Sequence, residues 1–208
     1  MENIEKKLRE EARKLLIEKK VDALIGYENG TLPLTATPCF ITDPDEANRL
    51  VWNRFCTQNL AKFVHDLVMQ HKESQKRVKP EDRIKKAFGI VARGCTSRSL
   101  VIQIQELQYD RSEVVIVGVP CTGYVDKKKL AIALNQEEVL DGSVANDQLS
   151  VKTAAGEQKI ALKDVLADNC RTCHFNNPIL CDVMVGDPAP AMDVAAEYAE
   201  VDEFENLS

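Results

Sequence analysis

An α/β fold with a mostly parallel sheet is predicted by three observations. Residues 87–92 (AFGIVA) and 114–119 (VVIVGV) are uninterrupted apolar runs of strand length. Runs of this kind suit parallel strands buried on both faces. Between them Leu100, Ile104 and Leu107 recur at helical spacing, so the stretch reads strand–loop–helix–strand, a right-handed β-α-β unit. Each strand is followed by a loop with a glycine and a cysteine: Gly94-Cys95 after the first, and Pro120-Cys121-Thr122-Gly123 after the second. In open α/β sheets the functional crevice lies at the carboxyl ends of the strands. Cys95 and Cys121 are therefore expected close together at that edge.

The other elements follow in chain order. Ile4, Leu8, Ala12, Leu15 and Leu16 form an apolar stripe among Glu, Lys and Arg, which predicts an amphipathic helix over roughly residues 2–19. Residues 21–27 (VDALIGY) read as a buried strand, with Glu28-Asn29-Gly30 as its turn signal. Residues 38–42 (PCFIT) read as a short strand. Asp43 and Pro44 then suit a helix cap and a first helical position. A further helix is expected within residues 53–70, with Leu60, Phe63, Val64 and Leu67 on one face and Cys56 near its start. At such a start free N–H groups favour a thiolate. Residues 71–86 (HKESQKRVKPEDRIKK) are charged and read as a solvated connector, with a basic docking strip as the alternative; His65 and His71 read as surface residues. From 127 to 168 short apolar positions alternate with turn groups such as Asp141-Gly142, so a small antiparallel hairpin or meander is inserted there. The chain thus divides into one α/β domain, 1–190, carrying the 127–168 insertion, and an acidic tail, 191–208. In that tail Val194, Tyr198, Val201 and Phe204 fall at helical spacing.

Composition narrows the function classes. The net charge of −6 does not favour non-specific nucleic-acid binding. No apolar run is long enough to span a bilayer, and the charged N-terminus, MENIEKKLREEARK, lacks the apolar core of a signal peptide. A cytoplasmic location is therefore expected. In that reducing compartment seven cysteines point to metal binding or redox chemistry rather than disulfides.

Three of those cysteines lie in the stretch 169–187 (NCRTCHFNNPILCDVMVGD): Cys170 and Cys173 as a C-x-x-C pair, and Cys181 eight residues on. Two intervening residues let both sulfurs face one point from a single turn, which suits a shared metal, an iron–sulfur cluster or a redox disulfide. The run Asp182-Val-Met-Val-Gly186 reads as a strand returning to the core. Thr96 and Ser97 could cap the helix after Cys95 and leave N–H groups aimed at an anion, such as a cluster or a flavin phosphate. No G-x-G-x-x-G dinucleotide fingerprint is present.

Gly118-Val-Pro-Cys121 resembles the G-x-P-C motif of one iron–sulfur flavoprotein family. Cys170-x-x-Cys173, followed by Asp182-Val-Met-Val-Gly186-Asp187, resembles its second motif, and the Gly94-Cys95 loop is similar to its cluster loop. The family is the β subunit of deazaflavin-coenzyme-reducing hydrogenases and formate dehydrogenases, and the resemblance spans roughly residues 85–190. The N-terminal part is similar to variants associated with heterodisulfide-reductase-like complexes. The resemblance implies a [4Fe–4S] cluster, usually with FAD, in an electron-transfer subunit of an anaerobic oxidoreductase whose partners are other iron–sulfur or flavin subunits. It implies Cys121, Cys170 and Cys173 as cluster ligands. Cys95 is expected as the fourth from its place at the strand-end edge, with Cys56 as the competing candidate. Gly94, Thr96, Ser97, Gly118 and Thr122 are the expected cofactor-binding positions. Cys39 and Cys181 read as small buried hydrophobes, and Asp182, Gly186 and Asp187 as residues that shape the loop. A free-standing flavin-dependent reductase of a small carrier and a structural zinc subunit remain open as alternatives, since four thiolates also satisfy Zn²⁺. No C-x-x-C-x-x-C-x-x-x-C-P ferredoxin run is present.

Overall fold

The computed structural model describes residues 2–190, Tyr198 and residues 203–206. Its main sheet has five strands in the order β2-β1-β3-β4-β8. These are β1 (Ala23–Asn29), β2 (Ala36–Ile41), β3 (Phe88–Ala92), β4 (Val114–Gly118) and β8 (Val183–Met184). Only the β1–β2 pair is antiparallel; β1–β3, β3–β4 and β4–β8 are parallel. The mostly parallel sheet read from the sequence is thus the one observed. Every residue of β3 is buried, as covering both faces requires.

Helix α1 (Glu2–Ile17) buries the expected stripe through Leu8, Ala12, Leu15 and Leu16. The Asp43 carboxylate accepts from the Asp45 N–H and Pro44 opens the turn, as read, but the turn is a short 3-10 helix ending at Arg49. The next helix differs from expectation. α2 spans Ala61–Gln75, not residues 53–70, and segment 50–60 is irregular although Leu50, Val51, Trp52, Phe55, Cys56 and Leu60 are all buried. Two asparagines explain the delay. Asn53 Oδ1 accepts from the Phe55 N–H at 2.9 Å, and Asn59 Oδ1 from the Ala61 N–H at 3.1 Å. Such side chains compete with the helix for backbone donors. The connector expected at 71–86 accordingly starts late, with α2 running through its first five residues.

Between β3 and β4 lies α3 (Gly94–Gln105). It ends two residues before Leu107, which is 87% exposed with φ 56° rather than on the buried face. The Leu107 N–H donates to the Ile104 carbonyl and that of Gln108 to the Gln103 carbonyl. This pattern satisfies the last carbonyls and needs a left-handed residue just past the cap.

The insertion opens with helix α4 (Lys127–Ala133), whose N-terminus Asp126 caps through the Lys128 and Lys129 N–H groups. A separate antiparallel sheet follows, β5 (Asp141–Ala145), β6 (Gln148–Thr153) and β7 (Gly156–Ala161), in sequential order. Two single-turn helices, α5 (Leu162–Val165) and α6 (Asp168–Arg171), lead out of it. The chain then regains the main sheet through Asp182, whose carboxylate accepts from the Ile116 N–H at 2.7 Å and pairs with Arg111 at 2.5 Å. Among the described residues no helix is long and apolar enough to cross a membrane. Of the tail positions read at helical spacing, Val194 and Val201 lie outside the described residues, and Phe204 is 75% exposed.

Asp182 carries the docking of the two-residue strand β8. Asp182→Ala should lower unfolding stability by about 1–2 kcal/mol, because the carboxylate–amide bond is lost while the partly open ion pair adds little. Glu73→Gln, at an exposed pair with Lys76, should change it by less than about 0.5 kcal/mol. Urea titration of both variants measures the difference.

Candidate metal centre

Strands β3 and β4 pair in register, Ala92 against Gly118, and the Val119 N–H donates to the Ala92 carbonyl at 2.9 Å. Both chains therefore leave the sheet at the same edge. The first turns directly into α3 with Cys95 in its opening turn; the second passes through Pro120 to Cys121. The C-x-x-C pair arrives from the other direction. Cys170 sits in α6, and the Cys173 N–H donates back to the Cys170 carbonyl at 3.3 Å. Backbone bonds knit these pieces together. Val125 bridges Leu166, the Ala167 N–H donates to the Tyr124 carbonyl, and the Cys121 N–H donates to the Asn176 carbonyl at 2.8 Å.

As a result Cys95, Cys121, Cys170 and Cys173 line one small cavity, together with Arg93, Gly94, Gly123, Tyr124, Asn169, Phe175 and Asn176. Backbone donors point at two of the sulfurs: the Gly123 N–H lies 3.4 Å from Cys121 Sγ, and the Phe175 N–H lies 3.4 Å from Cys173 Sγ. Such N–H groups favour thiolate over thiol. Burial opposes them. It pushes the Cys170 thiol up to about 11, against the Tyr124 N–H, and raises Cys121, against Arg93 and the Gly123 N–H. The free space is about 30 Å³, more than the roughly 10–15 Å³ that one water needs on the same measure. Among the described residues no three His, Cys, Asp or Glu side chains are gathered as one metal ion would need.

Two glycines permit this closure. A Cβ at Gly94 would stand 2.0 Å from the Phe175 carbonyl oxygen, and Gly123, at φ +94°, would meet Cys170 Cβ at 3.1 Å. Gly118 has a different role from the one its sequence position implied. The space beside it is filled by Cys181 and Pro178, with Cys181 Cβ at 2.9 Å from an added Cβ. It is a packing glycine with no opening for a ligand. Thr96 and Ser97 do not cap α3: the cap residue is Arg93, with no side-chain bond. Instead Ser97 Oγ donates to the Gly94 carbonyl and accepts from the Ile179 N–H at 3.0 Å, while Thr96 Oγ1 is buried without a partner. Thr122 faces the neighbouring cavity, its carbonyl held by Arg54.

Cys56 lies apart from the four-cysteine cavity. It is fully buried, weakly bonded to the Val51 carbonyl and Asn53 Oδ1, and not at a helix start. Burial pushes its thiol up to about 12 rather than toward thiolate. Cys39 is likewise pushed to about 12 by burial in β2, and Cys181 packs against the core.

Sequence reasoning assigned no role to Arg93. This residue is 3% exposed. Its guanidinium donates to the Cys56, Thr57 and Gln58 carbonyls and lies 5.0 Å from the Tyr124 ring centroid. Burial disfavours its charge, while Tyr27, Cys95 and Cys121, which face it, favour that charge only in their ionised forms and so hold its pKa above the ordinary arginine value. The available signal was a cation placed directly after a fully apolar strand. Tyr198 touches the site from the tail: its hydroxyl donates to the Thr172 carbonyl, inside the C-x-x-C, and its ring stacks on His174 at 5.7 Å.

No protein-family profile matches the chain, and no curated protein matches it. Among solved structures it is similar to a chain of the F420-reducing [NiFe] hydrogenase complex from Methanosarcina barkeri. The identity is 17% and the TM-score 0.57, over 99% of this chain and 76% of that one. At this identity the likeness is one of fold.

Thiol labelling separates the cysteine classes. In the metal-free protein at pH 7, iodoacetamide should modify the exposed Cys95 first and leave Cys39 and Cys56 unmodified until unfolding. A thiol held at about 12 is ionised to roughly one part in 10⁵ at that pH. Peptide mass mapping over a labelling time course checks the order.

Proposed function

We propose that the chain is an electron-transfer subunit of a multi-subunit oxidoreductase, holding one [4Fe–4S] cluster on Cys95, Cys121, Cys170 and Cys173. The observation that carries this reading is the convergence of four thiols from three separated segments on one cavity. The donor set fits the group. Four thiolates complete a [4Fe–4S] cluster, one to each iron. N–H groups already point at Cys121 and Cys173, and hydrogen bonds to sulfur are among the controls on cluster potential. The cluster would supply one-electron transfer. The residues of this chain hold it, screen it from water and set its charge environment. The fold likeness to a chain of a hydrogenase complex supports the oxidoreductase class.

A second cavity, of about 320 Å³, adjoins the first and shares Cys121 and Arg93 with it. Trp52, Pro120, Pro188 and Pro190 give it apolar walls, and Arg54 and Asp187 polar ones. Its size lies at the lower end for small-molecule sites. It borders Cys121 but is smaller than a whole FAD, and the free-standing flavin-dependent reductase is kept as the second reading on the sequence resemblance alone.

The described residues hold one such set of four thiols, and in this reading electrons reach and leave it through further redox groups. We assign that role to further iron–sulfur or flavin subunits. Tyr198, bonded to the backbone of the C-x-x-C turn, puts part of the tail beside the cluster face.

Anaerobic reconstitution with iron and sulfide tests the cofactor. The chain should develop a broad visible absorption that dithionite bleaches, with four irons per chain. Cys95→Ser, Cys121→Ser, Cys170→Ser and Cys173→Ser should each lose most of the iron, while Cys39→Ser and Cys56→Ser retain it. A colourless protein holding zinc would support the structural-metal alternative.

Co-purification from the native host tests the partners. Other iron–sulfur or flavin subunits should accompany the chain, and deletion of residues 191–208 should weaken the assembly. A monomer with full turnover on a soluble carrier, unaffected by the deletion, would overturn the subunit reading in favour of the free-standing reductase.

A further inference from the structure

Arg93 poses a problem in electrostatics. It is 3% exposed, and among the described residues no carboxylate pairs with it. Its Nη atoms are held by three carbonyl oxygens of segment 56–58, at 2.7 Å from Thr57 and 3.1 Å from Gln58 for Nη2. Its Nε is buried with no partner. The other deeply placed arginine, Arg54, has an exposed carboxylate, Asp147, at 3.8 Å. Arginine is not deprotonated in proteins, and a buried charge without a counter-charge is costly. Neutral carbonyls and the Tyr124 ring face lessen that cost without supplying an anion.

Among the described residues, the only groups around Arg93 that become anionic when the site is loaded are the thiols of the cavity it lines. We infer that Arg93 is the fixed counter-cation of the thiolate-bound cluster, and that its charge raises the cluster's reduction potential. This rests on the cluster reading above. Four thiolates around a [4Fe–4S] core give a net charge of minus two when oxidised and minus three after one electron is added. A buried cation therefore stabilises the reduced form more than the oxidised one, and net charge is a principal control on cluster potential. The fork geometry suits the task. Three carbonyls fix the guanidinium plane from one side, so its position does not depend on the cluster.

The test uses the full chain, reconstituted anaerobically, with Arg93→Gln and Arg93→Lys. Midpoint potentials are read by redox titration followed by electron paramagnetic resonance, independently of turnover. Arg93→Gln should favour the oxidised form at least tenfold, a fall of 59 mV for a one-electron couple, with the iron content of the unaltered chain. Arg93→Lys keeps the charge and should stay within that margin. Equal midpoints for Arg93→Gln and the unaltered chain, both fully loaded, would overturn this inference and leave the cluster reading standing. An unaltered chain that takes up no iron would overturn both. Should Arg93→Gln not fold, Arg93→Lys decides. Iron retention with a near-unchanged midpoint supports the charge role, whereas an iron-free Lys variant with unaltered circular dichroism assigns Arg93 to shape alone.

Discussion

The pairing of β3 with β4 is the constraint on which the rest depends. Five consecutive residues of each strand lie in register, Phe88 to Ala92 against Val114 to Gly118. The strands are parallel, so both chains must leave the sheet at the same edge. That edge collects Arg93 and Cys95 from one loop and Cys121 from the other before any side chain takes part. A slip of one residue would turn the apolar faces of both strands, and it would also part the two cysteine loops. Burial on both faces, which makes the register costly to change, is thus what makes the edge a dependable site.

The second half of the cavity comes from a segment with little regular structure of its own. Residues 169–181 are held at the edge mainly by hydrogen bonds, with the single turn of α6 as their only helix. The Asn176 carbonyl accepts from the Cys121 N–H, Asn177 and Ala189 exchange two hydrogen bonds at 2.8 Å, and Asp182 caps into β4. Close approach requires glycine where the loops touch: at Gly94 the Phe175 carbonyl occupies the space of a side chain. The residues next to the cysteines in sequence therefore mostly close the cavity. Gly118 and Ser97 hold loops in place, and Thr122 anchors Arg54 by its carbonyl.

Periodicity and strand-end position made much of this legible in the sequence. The apolar runs at 87–92 and 114–119 specified the parallel pair, and a parallel pair specifies a shared edge, so the neighbourhood of Cys95 and Cys121 followed from topology. The C-x-x-C spacing showed that Cys170 and Cys173 share one turn. Those features are local, or follow from one rule of chain direction, and short-range patterning suffices to determine them. The start of α2 was misread because Asn53 and Asn59 compete for backbone donors in a stretch whose apolar residues still suit a helix. Cys56 was misjudged for the same reason. Once the helix start moved to Ala61, its thiol was simply buried.

By itself, then, the sequence determined the sheet, its mostly parallel sense, the inserted antiparallel unit and which strand ends carry cysteine. Only the tertiary structure decided that the C-x-x-C turn lies against that edge, that Gly118 is filled by Cys181, and that Arg93 is buried beside the thiols with no carboxylate pairing it among the described residues. Each of these depends on groups far apart in the chain meeting through backbone bonds and desolvation. Arg93 is the clearest case. A lone arginine after an apolar run is unremarkable in sequence, and its significance comes from the carbonyls of residues 56–58 and the ring of Tyr124 closing around it. Burial, which no single position encodes, turns an ordinary cation into one that needs an anion.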